Sequence, residues 1–187
     1  MEIASVSSEE EMIAEWLLAE GDSPRYTQGA RTKALAYRGW PDRMLFESFP
    51  RESITWHEAV LGPDDLERVC YIRSVGWVGV SAGTCRPTVA VDRLRRGTAP
   101  PDFDPTHIFG IVERLERGDV LPRIITLGPP DGSIVIVLEG TARITAYACH
   151  GFPDRLPVIH GIAELELLRK WRYFPLARVL DHTLSEP

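Results

Sequence analysis

The clearest pattern of apolar and polar positions lies in the second half of the chain. Two β-branched runs, "RIITL" and "IVIVL", flank the turn "GPPDG", where Pro-Asp-Gly supplies a reversal, and this predicts a hairpin-like pair of strands. The segment "TARITAYACHG" follows at once with helical spacing, turning Ile144, Ala148 and Tyr147 inward and stopping at Gly151. "LPVIHGIA" predicts a further strand and "ELELLRKWRYF" a further helix. Upstream, Asp104 as cap, Pro105 at the first turn, Ile108, Ile111, Val112 and Leu115 as the apolar stripe and Gly118 as terminator predict a helix. Pro87 to Gly97 reads as another, opened by proline and closed by glycine.

Nearer the start, Ser7 and Ser8 are each followed three residues later by glutamate, a capping box for a helix that buries Met12, Ile13, Trp16 and Leu17 and ends at Gly21. "ITWHEAV" and "WVGVS" read as strands, and "GPDDLERVCYI" as a helix with Pro63 and two aspartates at its positive end. Prolines and glycines break 23–50 into loops around a short helix near "RTKALAY". The expected architecture is α/β of the α+β kind, a small mixed sheet flanked by helices. An N-terminal helical extension would cover residues 1–50, the main domain 51–176 and a tail 177–187.

Composition narrows the function. The chain has 187 residues, 44% of them hydrophobic, and no apolar run of membrane-spanning length, so no membrane partner is expected. Its acidic start lacks the pattern of an export signal, which points to the cytoplasm. Three widely spaced cysteines, Cys70, Cys85 and Cys149, fit reduced thiols better than a disulfide framework. A net charge of -6 argues against nucleic acid as a partner, and the two basic stretches, "DRLRRG" and "RKWRY", read as solvated helix faces. Homodimerisation stays open.

The chemistry concentrates where "IVIVLEGTARITAY" passes from strand to helix. A helix start leaves backbone amides unpaired and carries partial positive charge, so it attracts an anion. Gly140 permits close approach of the backbone, Thr141 offers a hydroxyl for capping or binding, and Arg143 can fork onto a phosphate. Glu139 at the strand's carboxyl end suits Mg²⁺ or the proton of an attacking hydroxyl. The bland alternative is a Thr141 cap with Arg143 paired to Glu139.

With "GDVLPRIITLGPPDG" before it and "LPVIHGIA" after it, "VIVLEGTARITAYAC" resembles the ParB/sulfiredoxin-like superfamily, whose signature is an acid-Gly-x-x-Arg junction opening a helix. The resemblance covers about seventy residues, Asp104 to Phe174. It implies nucleotide contacts across Gly140, Thr141, Ala142 and Arg143, with Glu139 standing where the free-serine kinases carry an acid. ATP or another nucleotide with Mg²⁺ would be the cofactor, and a small hydroxyl-bearing metabolite the phosphoryl acceptor. Glu58, beside His57 in "ITWHEAV", is the counterpart of a second acid that those kinases take from an N-terminal strand. The departures are specific. Sulfiredoxins need cysteine after the junction glycine, where this chain has Thr141, which excludes sulfinic-acid reduction; many relatives carry histidine before the arginine, where this chain has Ala142. That substitution favours a noncatalytic binding or regulatory module as the competing reading. ParB proteins continue into a helix-turn-helix domain, whereas these 187 residues end soon after the resembling unit, which with the acidic balance makes chromosome partition an unfavoured expectation.

A third reading comes from "GVSAG", Gly79 to Gly83, which satisfies the G-x-S-x-G pattern of a nucleophile elbow with Ser81 at its centre. The elbow needs a helix immediately afterwards, and Pro87 intervenes only four residues past Gly83. His107, His150 and His160 carry no motif and read as structural.

Overall fold

A computed structural model describes residues 1–21 and 49–175. The short helix expected near "RTKALAY" and the tail from 177 lie outside the described residues. In chain order the elements are β1 (Glu2–Val6), α1 (Glu9–Gly21), β2 (Thr55–Leu61), a 3-10 helix (Pro63–Arg68), β3 (Val69–Tyr71), α2 (Val75–Val80), α3 (Pro87–Arg95) and α4 (Thr106–Glu116). They continue with β4 (Ile124–Gly128), β5 (Val135–Glu139), α5 (Thr141–His150), β6 (Leu156–Ile162) and α6 (Leu165–Leu168). The strands form one mixed sheet in the order β1-β2-β6-β4-β5-β3, in keeping with the α+β expectation.

The two β-branched runs form the middle of the sheet. All five residues of β4 and the first four of β5 are buried, as befits strands covered on both faces, and they pair antiparallel across the "GPPDG" turn. β6 lies parallel to β4 on the other side, with Ile125 opposite Ile159. β2 buries Trp56 on one face and Ala59 and Leu61 on the other, and runs antiparallel to β6. β1, exposed along its whole length, forms an edge against β2. Thus the described part of 1–50 joins the same sheet, and its helix adds Met12 and Trp16, both at most 1% exposed, to the common core. The capping box of α1 forms at Ser8: its hydroxyl accepts from the Glu11 amide at 3.1 Å while Glu11 accepts from the Ser8 amide at 3.0 Å.

Three expectations are corrected. "WVGVS" is the helix α2 and not a strand; Tyr71 packs tilted and Phe103 edge-on against Trp77, at centroid distances of 4.8 and 5.5 Å, and the two hold it beside the sheet. "GPDDLERVCYI" divides into a 3-10 helix and the buried strand β3, which pairs parallel to β5. Sheet pairing at that edge outweighs the local helical tendency of the sequence. "ELELLRKWRYF" makes only the four-residue α6, and Trp171 and Phe174 turn into the core beyond it. At α4 the cap position falls on Pro105 and not on the expected Asp104, whose carboxylate accepts from the Thr106 amide at 2.9 Å just ahead of the helix. Among the described residues, no helix is long and apolar enough to cross a membrane.

One polar pair sits in the centre of the sheet. His160 and Thr126 are both 0% exposed. The Thr126 hydroxyl lies 3.2 Å from the Ile159 carbonyl and 2.9 Å from His160 Nδ1, with which it shares one hydrogen bond. Nε2 has no hydrogen-bond partner among the described residues. Burial, with smaller contributions from neighbouring His57 and the Met1 amino group, lowers the imidazole pKa from 6.5 to about 4. The unfolded chain therefore takes up this proton before the folded one does: the stability that neutral His160 supplies is complete above pH 6.5 and is lost as pH falls towards 4. The loss attributable to this residue is on the order of 3 kcal/mol. Urea unfolding of wild type and His160→Leu at several pH values should show a steeper fall for wild type below pH 6.5; parallel curves would assign the acid sensitivity to other groups.

Candidate functional site

The junction is built by a change of backbone conformation at one residue. β5 ends on Glu139, Gly140 adopts φ +94° and ψ 27°, and α5 begins on Thr141. Two constraints make that residue glycine. The first is the left-handed conformation, which a side chain makes costly. The second is crowding: a Cβ there would lie 2.9 Å from both Nε and Nη2 of Arg143 and 3.0 Å from Ile124 Cγ1. Gly140 itself occupies the cap position, with no side-chain cap, and Thr141 is the first helical residue instead of the expected cap. The first hydrogen bond of the helix runs from the Ile144 amide to the Gly140 carbonyl at 2.8 Å, so the amides of Thr141, Ala142 and Arg143 precede the helical ladder.

The Arg143 guanidinium is folded back over Gly140, and its Nη2 stands 3.6 Å from Glu139 Oε1. The two side chains are 10% and 12% exposed. A well-made guanidinium–carboxylate fork has N–O distances of about 2.7–2.9 Å, as in the surface pair of Arg51 and Glu9, with both contacts at 2.8 Å. The junction pair is more buried and longer. Arg143 also faces Tyr147, where its charge works against the burial that raises the phenol's pKa.

The first turn of α5 is held from below. Thr145 donates its hydroxyl to the Thr141 carbonyl at 2.7 Å, so its contact of 2.6 Å with the Tyr71 phenol has Tyr71 as donor. Tyr71 and Thr145 are both fully buried, and burial pushes the phenol's pKa well above its ordinary 10 despite the hydrogen bond with Thr145. Neither residue carries a local signal in the sequence; only the parallel pairing of β3 with β5 brings Tyr71 here. Ala142 turns towards Ile108, Ile111 and Ala146, a helix–helix contact in which a small side chain fits. Any ligand contact from this residue would come from its backbone.

The other candidates are not brought to the junction. Glu58, Ile159, Ile125 and Glu139 occupy one row across β2, β6, β4 and β5, so Glu58 is three strand spacings, roughly 14 Å, from Glu139. Hydrogen bonds from Arg123 and Ser5 hold the exposed Glu58 carboxyl below its ordinary pKa. Arg123 also binds Glu15 at 3.1 Å, so Glu58 belongs to a cluster tying α1 to the sheet. Ser81 is 0% exposed at the end of α2; its hydroxyl donates to the Trp77 carbonyl at 2.5 Å and accepts from the Cys85 amide at 3.0 Å. A buried hydroxyl on a helix end, engaged in shaping its own loop, is no nucleophile elbow. The basic stretch 92–97 is similarly committed: Arg93 to the Gly79 and Thr98 carbonyls, Arg95 to that of Cys149, and Arg96 to Asp92. A cavity of about 300 Å³ lined by Ser7, Ser8, Arg51, Ile54 and Trp56 shares no residue with the junction.

No protein-family model, curated protein or solved structure matches the chain. Among the described residues no group of three or more His, Cys, Asp or Glu is arranged to hold a metal ion. Glu139 alone would suit a Mg²⁺ that also takes oxygens from a bound phosphate, the usual mode for that ion.

The Tyr71–Thr145 contact yields a graded prediction. Tyr71→Phe leaves Thr145 still donating to Thr141 and should cost about 1 kcal/mol; Thr145→Val strands a buried phenol and should cost roughly 1–3 kcal/mol. Equal losses in denaturant unfolding would contradict the assigned donor direction. Gly140→Ala, which meets both the backbone and the guanidinium, should destabilise by more than about 1 kcal/mol.

Proposed function

We propose that the chain binds the phosphate groups of a nucleotide at the junction formed by Gly140, Thr141, Ala142 and Arg143. The observation that carries this reading is the buried guanidinium folded over a left-handed glycine, beside amides that precede the helical ladder. Such a turn supplies cationic charge and backbone donors together. The resemblance of "VIVLEGTARITAYAC" to the ParB/sulfiredoxin-like acid-Gly-x-x-Arg junction supports the same ligand class.

Catalysis would place a small hydroxyl-bearing acceptor beside Glu139, which would take its proton or share Mg²⁺ with the phosphates. Glu58 has no part in this proposal, because it lies across the sheet from Glu139 and is engaged by Arg123. A noncatalytic binding module is the second reading, and two observations favour it: Ala142 faces α4 where many relatives carry histidine, and Glu139 is engaged with Arg143.

A thermal-shift panel of ATP, ADP, CTP and GTP, each with and without Mg²⁺, tests binding. A ligand at one hundred times its dissociation constant should stabilise the protein by about 2.7 kcal/mol. Arg143→Gln should abolish the shift; because Arg143 is buried against Glu139 the variant also loses unliganded stability, so each shift is read against the variant's own unliganded melting point. No shift with any nucleotide in wild type, or an undiminished shift in the folded variant, would sink the proposal. Following nucleotide consumption over time then separates turnover from binding alone.

A further inference from the structure

We infer that Arg86 and Arg73, beside β3 and apart from the residues of the junction, form a site for a phosphate-class oxyanion. The observation that carries it is a guanidinium without a counter-charge. Arg86 Nη1 is buried and has no hydrogen-bond partner, and among the described residues neither Arg86 nor Arg73 pairs with a carboxylate. The chain's other arginines are treated differently: Arg51, Arg68, Arg96, Arg123, Arg155 and Arg169 each meet an aspartate or glutamate. A partly buried guanidinium is costly to the fold unless an anion meets it.

Nothing local supplies that anion. Arg86 lies against Cys70, which is 0% exposed and whose thiol stays protonated because burial pushes its pKa up to about 11. Burial raises the neighbouring Cys85 thiol as well. Helix α3 starts at Pro87, directly after Arg86, with no side-chain cap, so its partial positive charge adds to that of the guanidinium. Arg73 brings a second full charge. The Tyr71 amide donates to the Cys85 carbonyl at 2.7 Å and so joins β3 to the loop ahead of Arg86, and Arg73 acts on the Cys85 thiol as Arg86 acts on that of Cys70. Arg73 is exposed and Arg86 partly so, which lets an ion reach them from solvent without entering the core. Two guanidiniums and a helix start call for more than one negative charge. A phosphate carries it, with oxygens spaced for the guanidinium fork, and a single carboxylate does not.

The test follows the melting temperature of the full chain as inorganic phosphate rises at constant ionic strength, with chloride and acetate as comparison anions. Wild type, Arg86→Met, Arg73→Gln and Arg143→Gln are compared. Wild type should gain roughly 5 °C at one hundred times the phosphate dissociation constant, with no gain from acetate. Arg86→Met should lose that gain, Arg73→Gln should weaken phosphate binding about tenfold, and Arg143→Gln should keep the full response. Without phosphate, Arg86→Met should melt at or above wild type, because it removes an uncompensated charge and keeps an aliphatic stem in the same place. A wild type indifferent to phosphate, an equal response to acetate, or a response that survives Arg86→Met or Arg73→Gln overturns the site. So does a response that needs Arg143, which would place the ion at the junction. An Arg86→Met protein that fails to fold, or melts well below wild type without phosphate, overturns it too, by showing that the fold already satisfies this guanidinium.

Discussion

A positive charge is buried where the most apolar strand pair of the sheet gives way to a helix, and the surroundings of Arg143 are arranged around that charge. Moving a guanidinium out of water costs several kcal/mol unless a counter-charge and hydrogen-bond acceptors meet it. Glu139 supplies the counter-charge from the last position of β5, and Gly140 supplies the space by having no side chain. The left-handed backbone at Gly140 then sets the direction in which α5 leaves the sheet. Charge, glycine and helix direction are one constraint.

The remaining elements brace this turn. α3 and α4 pack against α5, so its first turns are enclosed by helices while the sheet supports them from beneath. Arg143, Ile144, Thr145 and Ala146 are all buried, an unusual run for a helix that begins with polar residues. Thr145 is accommodated because its hydroxyl has two partners, the Thr141 carbonyl and the Tyr71 phenol.

Elsewhere, charge serves the fold. Arg123 links Glu15 on α1 with Glu58 on β2, and Asp65, 3% exposed, accepts from the Gly62 amide and from Arg68, which reaches on to the Gly132 carbonyl. These clusters join segments far apart in the chain and stabilise the sheet's flanks. They also account for residues whose sequence context suggested chemistry: the exposed acid of "ITWHEAV" is a tie between elements, and the serine of "GVSAG" shapes a loop in which Ala82 and Cys85 adopt positive φ.

The order and nature of the central elements were legible in the sequence. β4, its turn, β5, α5 and β6 follow from β-branched runs, Pro-Asp-Gly and helical periodicity, and the Ser8 capping box from a local hydrogen-bonding pattern, because each of these depends on interactions within a few residues. The junction residues too were legible as a group, since Glu139 to Arg143 are neighbours in the chain. The tertiary structure alone decided which side chains meet. "WVGVS" became a helix because its tryptophan docks between Tyr71 and Phe103, "VCY" became a strand because β5 offered an edge, and Glu58 was set three strands away by the order of the sheet. Apolar runs of this length satisfy either a strand or a helix locally; only burial against distant partners separates the two.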